Sequence, residues 1–165
     1  MSHISRYALA VGALSLAALV GDAAAQSPIT WKLHCNVVGV AQPELIGDRP
    51  GHALQVGEQS CRVEGGPMDG ALFTSSGISE VEAGGIVLLS AHGVVRKPGS
   101  MFAWQATEGS TTFRMTDGKV TGFAGKGKGA FTLVTGAATL LKGKTFSYIV
   151  NPAGPGKVTM DVTVD

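Results

Sequence analysis

The chain has little charge. Asp, Glu, Lys and Arg make up 15% of it, against roughly 25% in ordinary soluble domains. What charge there is nearly cancels, since 13 basic and 12 acidic residues leave a net +1. That balance supplies no field to draw nucleic acid or anionic lipid, so neither is expected as a partner. Aromatic residues are few, at 6%, and there are only two cysteines. C-x-x-C, His-x-His and His-x-x-x-His spacings are all missing, so no metal or other cofactor is expected. The Gly-x-Ser-x-Gly elbow of many hydrolases is missing too. After residue 26, apolar residues at i, i+3, i+4, i+7 never persist for three turns, which excludes a long amphipathic helix.

Three things are present. The first is the amino end: a single Arg in Met1–Arg6, a small-and-apolar run over Tyr7–Val20, then Ala23-Ala24-Ala25. A short basic head, an apolar stretch and an A-x-A-like site predict a signal peptide over residues 1–25. The run is shorter than the about 20 apolar residues of a membrane span. The expected product is an exported protein, periplasmic or extracellular, with one domain over residues 26–165.

The second is glycine, 24 residues of it, with no proline-rich tract. High Gly and low charge argue for many tight turns rather than disorder. Between the turns, period two dominates. Val158, Met160, Val162 and Val164 are apolar, and Thr159, Asp161 and Thr163 between them are polar, which sends one set to a core and the other to water. The same pattern predicts strands over 30–40, 53–64, 71–81, 86–96, 101–107, 111–116, 128–134 and 145–150. Asp117-Gly118 is the sharpest hairpin signal, because both central residues of a two-residue turn need positive φ. Short strands with turn chemistry between them predict an all-β fold, an antiparallel barrel of about eight strands.

The third is the even cysteine count. In an exported chain, Cys35 and Cys61 read as a disulfide, with Cα atoms expected about 4.4–6.8 Å apart. Cys35 alternates with Leu33 and Val37, and Cys61 with Val63, so both cysteines belong to faces that a core would bury.

The candidate site residues are fewer. His92 shares a period-two face with Leu88, Ser90 and Val94, a polar group among apolar neighbours. If that face lines the barrel, His92 can serve as a general base or, with Ser90 beside it, anchor a ligand. Glu58 is a second polar group in strand context, with Arg62 as its default ion-pair partner. Trp104 heads a small aromatic set, with Trp31, Phe102, Phe131 and Tyr148, that fills a core or lines a pocket. Gly125-Lys126-Gly127-Lys128-Gly129 lacks the Walker spacing and reads as a strand softened by glycine.

Residues 116–150 carry a resemblance. Gly127-Lys128-Gly129-Ala130-Phe131, then Thr135-Gly136-Ala137, then Lys142-Gly143 leading into a strand with Tyr148, are similar to the late hairpin of the allene oxide cyclase and dirigent barrel superfamily. Ala137 and Ala138 stand where that pattern more typically has Gly-Thr-Gly. The resemblance implies an eight-stranded antiparallel barrel and implies no activity.

Three functions are consistent with the sequence. The leading expectation is a noncatalytic exported barrel that binds a small apolar or amphipathic ligand or an envelope partner. The alternatives are an isomerase or cyclase working in the barrel mouth through His92 or Glu58, and a surface module whose barrel is solid.

Overall fold

The computed structural model describes residues 27–40 and 42–165, so the expected signal peptide lies outside the described residues. The chain runs through β1 (Thr30–Val40), β2 (Glu44–Leu45), β3 (Ala53–Glu64), β4 (Leu72–Glu82) and β5 (Gly85–Lys97). It continues through β6 (Ser100–Thr116), β7 (Lys119–Thr135), a 3-10 turn (Gly136–Leu141), β8 (Thr145–Pro152) and β9 (Lys157–Val164). From β3 to β9 each strand pairs antiparallel with the next. β1 pairs with both β9 and β3, and that double pairing closes the sheet. The result is a closed eight-stranded antiparallel barrel, with β2 laid against the start of β3. Closure leaves none of the eight strands as a free edge.

Turn chemistry sets the connections. Asp117 and Gly118 have φ of 51° and 73°, the positive pair that the tight β6–β7 hairpin needs. That hairpin is long. β6 pairs with β5 only as far as Thr112, and β7 with β8 only as far as Gly125, so residues 113–124 project past the barrel as a two-stranded ribbon.

Two expected strand boundaries need correction. The stretches over 101–107 and 111–116 form one strand, β6, whose register slips between Ala106 and Glu108. Such a bulge bends a strand without ending it. β7 begins at Lys119 rather than Lys128. Its first half hides from an apolar alternation because the inward positions are Gly125, Gly127 and Gly129. A Cβ on Gly127 would lie 2.4 Å from the Tyr148 ring, and one on Gly129 would lie 2.4 Å from the Phe146 ring. The aromatic rings of β8 fill the space that β7 leaves empty.

One end of the barrel is plugged. Leu33, Val63 and Val95 are almost fully buried there, with Met68 from the β3–β4 connection and Ala138 and Leu141 from the 3-10 turn. The Cys35 and Cys61 sulfurs lie 2.09 Å apart on directly opposed residues of β1 and β3, both buried in the core as their strand faces predict. Their Cα atoms are 3.9 Å apart, closer than the expected range. Directly opposed cross-strand residues are the nearest neighbours a sheet provides.

Candidate functional site

Above the plug the barrel is hollow. A cavity of about 290 Å³ opens toward the end that holds the β4–β5, β6–β7 and β8–β9 turns. Its floor is aromatic. Trp104 stacks on Phe73 at 5.4 Å between ring centroids and meets Phe146 edge-on at 6.1 Å, and Trp31 and Phe131 lie beside them. Higher up, the wall carries uncharged polar groups, Gln55, Gln59, Ser75, Ser79, Thr111 and Tyr148, among Val37, Ile86, Leu88 and Val150. A size near the low end of ligand pockets, with apolar walls and a few polar groups, is the usual form of a small-molecule site.

Two polar atoms in this region are buried without a hydrogen-bond partner, Gln59 Oε1 and Trp104 Nε1. Tyr148 is better provided for: its hydroxyl donates a long 3.5 Å bond to the Glu108 carbonyl. Burial, and secondarily the nearby Glu108 charge, push the Tyr148 phenol above its ordinary pKa.

Of the four expected site residues, Trp104 lines the cavity and Glu58 stands exposed at its edge, whereas His92 and Ser90 lie outside it. His92 and Ser90 are exposed on the outer surface, so the expectation that His92 faces the interior is corrected. The reason is a single extra residue. The β4–β5 register passes from Ile78↔Ser90 to Ser79↔Leu88 and leaves Leu89 unpaired. A bulge of one residue reverses the inside–outside phase of everything beyond it. Ile86 and Leu88 therefore line the cavity on one side of the bulge, and Ala91 does so on the other, with Val95 in the core below. Glu58 is likewise exposed, because its neighbour Gln59 takes the inward place two residues before Cys61. Glu58, Ser76, His92 and Gln105 form one cross-strand row on the outer wall, beside a shallow depression. No side-chain hydrogen bond joins them among the described residues.

A charged cluster stands beside the mouth. His52 is only 5% exposed, the sole buried polar or charged side chain among the described residues. Its Nδ1 lies 2.6 Å from Asp48 Oδ1, and its Nε2 lies 3.9 Å from Glu80. Arg49 bridges Asp48, at 2.8 Å, to Glu82. The hydrogen bond from His52 holds the Asp48 carboxyl below its ordinary pKa. These contacts tie the segment between β2 and β3 to the rim of β4. No three His, Cys, Asp or Glu side chains are grouped to hold a metal ion among the described residues. No helix there is long and apolar enough to cross a membrane.

Gln59 is the polar residue that sequence reasoning missed. The signal was available, because extending the Cys61–Val63 face by one further step reaches Gln59, then Gly57 and Gln55. His52 had no such signal, since its burial depends on the folded segment that contains Asp48 and Arg49.

No protein-family model matches the chain, and no curated protein matches it. Among solved structures, the barrel is similar to the crystal structure of a protein of unknown function from Clostridium acetobutylicum ATCC 824. The two share 15% sequence identity and a TM-score of 0.59, over 82% of this chain and 96% of the other. That likeness extends to the fold alone.

Proposed function

We propose that this protein is an exported carrier or receptor that holds a small, largely apolar molecule inside its barrel. The observation that carries this reading is the hollow interior itself, a cavity of about 290 Å³ with mostly apolar walls and a few uncharged polar groups. Export is supported by the composition of residues 1–25 and by the bonded cysteine pair, which persists in oxidising compartments. The resemblance of residues 116–150 to the allene oxide cyclase and dirigent barrels supports the same barrel reading without an activity. An isomerase or cyclase using His92 is disfavoured, since His92 lies on the outer wall, and Glu58 stands exposed at the cavity's edge. A solid surface module does not account for the hollow interior.

The test is titration with N-phenyl-1-naphthylamine, an uncharged probe that brightens in apolar surroundings. Saturable enhancement at one probe per chain is expected. Ser79→Trp, which places an indole at the half-buried mouth, is expected to abolish it while the circular dichroism spectrum stays β-rich. Linear, unsaturable enhancement, or binding untouched by Ser79→Trp, contradicts the proposal.

A further inference from the structure

The ribbon of β6 and β7 carries the inner wall of the barrel beyond its rim. Ile86, Thr111, Gly125 and Val150 form one cross-strand row there, from β5 through β8. Three of the four, Ile86, Thr111 and Val150, line the cavity. The next rung of the same face is Phe113 opposite Phe123, two residues further along each strand. The rung after it is Met115 opposite Val120, because the register shift beyond Arg114 leaves Thr121 as the extra residue. Side chains two apart on a strand share a face, so these two rungs extend the cavity wall. At about 3.4 Å per strand residue, Met115 stands roughly 13 Å beyond Thr111.

The opposite face of the ribbon is polar. Thr112, Arg114 and Thr116 alternate with the apolar residues of β6, and the Thr121 hydroxyl donates to the Arg114 carbonyl and lies 3.2 Å from that of Thr116. The base of the ribbon is held at the rim, where the Phe113 N–H donates a 3.1 Å bond to the Gly84 carbonyl in the β4–β5 turn. Phe113 and Phe123 are half-buried, whereas Met115 and Val120 are 52% and 55% exposed. An apolar strip thus starts at the cavity wall and runs outward into water, and such strips mark contact with something else. What it contacts follows from where it starts. The chamber is small for a ligand pocket, and its wall does not stop at the rim, so a molecule longer than the chamber meets the strip as it leaves. On the reading that this cavity is a ligand site, we infer that its guest is an elongated apolar molecule. One end lies in the barrel, and the other lies along Phe113, Met115, Val120 and Phe123.

Two uncharged fluorescent probes of different length provide the test: N-phenyl-1-naphthylamine, which is compact, and diphenylhexatriene, a rod. The variant is Met115→Glu combined with Val120→Lys. It makes the outer rung polar, leaves the net charge unchanged and sets opposite charges across the ribbon, which favours the strand pairing. Both positions are exposed, so the core of the barrel is untouched. Both probes are expected to bind the native chain. The variant is expected to weaken diphenylhexatriene by about ten-fold, through lost apolar contact, and N-phenyl-1-naphthylamine by less than about two-fold. Rod binding that the variant leaves unchanged overturns the inference, as does a rod that fails to bind where the compact probe succeeds. It is overturned too if the native chain sediments as a dimer, or floats with phosphatidylcholine vesicles, and the variant does not. The strip would then belong to a second copy or to a lipid surface. If neither probe binds, the ligand-site reading itself falls.

Discussion

Gly125, Gly127 and Gly129 alternate with Lys126 and Lys128 along β7, the lysines outward, Gly127 and Gly129 against the rings of β8 and Gly125 against Thr111 and Val150. Glycine weakens a strand unless a close approach requires it, and here Tyr148 and Phe146 require it. Gly127→Ala is expected to destabilise the barrel by about 1–3 kcal/mol, the usual range for overpacking. In a urea-denaturation cycle, the Gly127→Ala/Tyr148→Ala double variant should lose less stability than the two single losses summed. Strict additivity would place the clash on the Glu108 carbonyl, which a Gly127 Cβ also approaches to 2.4 Å, rather than on the ring. Tyr148 also supports a pH prediction. It is the only tyrosine beyond Tyr7, so tyrosinate absorbance of the chain from residue 27 onward reports on it alone. Its folded pKa is raised above the ordinary 10.0 by burial. The folded state therefore keeps a proton that the unfolded state has lost. The resulting stability is complete below about pH 10 and is lost as pH climbs through the higher folded value. A native titration midpoint above that of the denatured chain is expected, and a midpoint at or below it contradicts the burial argument.

At the scale of elements, the sequence was legible wherever apolar alternation was unbroken. β9, β1 and β3 follow their expected bounds closely, and the Cys35 and Cys61 faces meet as the alternation implied. Legibility failed at bulges and at glycines. Leu89 looks like any other strand residue, yet as the extra residue it turns His92 and Ser90 to the outside. The inward glycines of β7 erased the apolar half of the pattern, because the missing bulk is supplied from another strand. The site suffered most, since a polar group's role depends on a phase that one bulge inverts. The bridge between β1 and β3 belongs to this scale as well. It closes a loop with a sequence separation of 26, for which the chain-entropy model gives roughly 3–4 kcal/mol. Reduction of the bridged protein is expected to lower its unfolding free energy by about that amount, read from the shift in urea midpoint at unchanged slope. An unchanged midpoint would mean that the bridge contributes nothing beyond the strand pairing it spans.

The whole molecule is a cylinder stopped at one end by Met68, Ala138 and Leu141 and open at the other, with a ribbon over 113–124 projecting past the opening. Its seam lies along β1, which pairs with β3 on one side and with β9 on the other. Thr30 sits opposite Thr163, so the first described strand waits for the last. This gives assembly an order in time. A chain made from its amino end offers both cysteines long before Lys157–Val164 exists, so the bonded side of the seam can be secured while the other stands open. Pairings so distant in sequence are slow to form, and until β9 arrives there is a curled sheet with two exposed edges and no enclosed space. The cavity is thus the last thing the chain acquires. Retention of an apolar guest would mark a finished molecule, and an incomplete one would show itself by sticking to its neighbours instead.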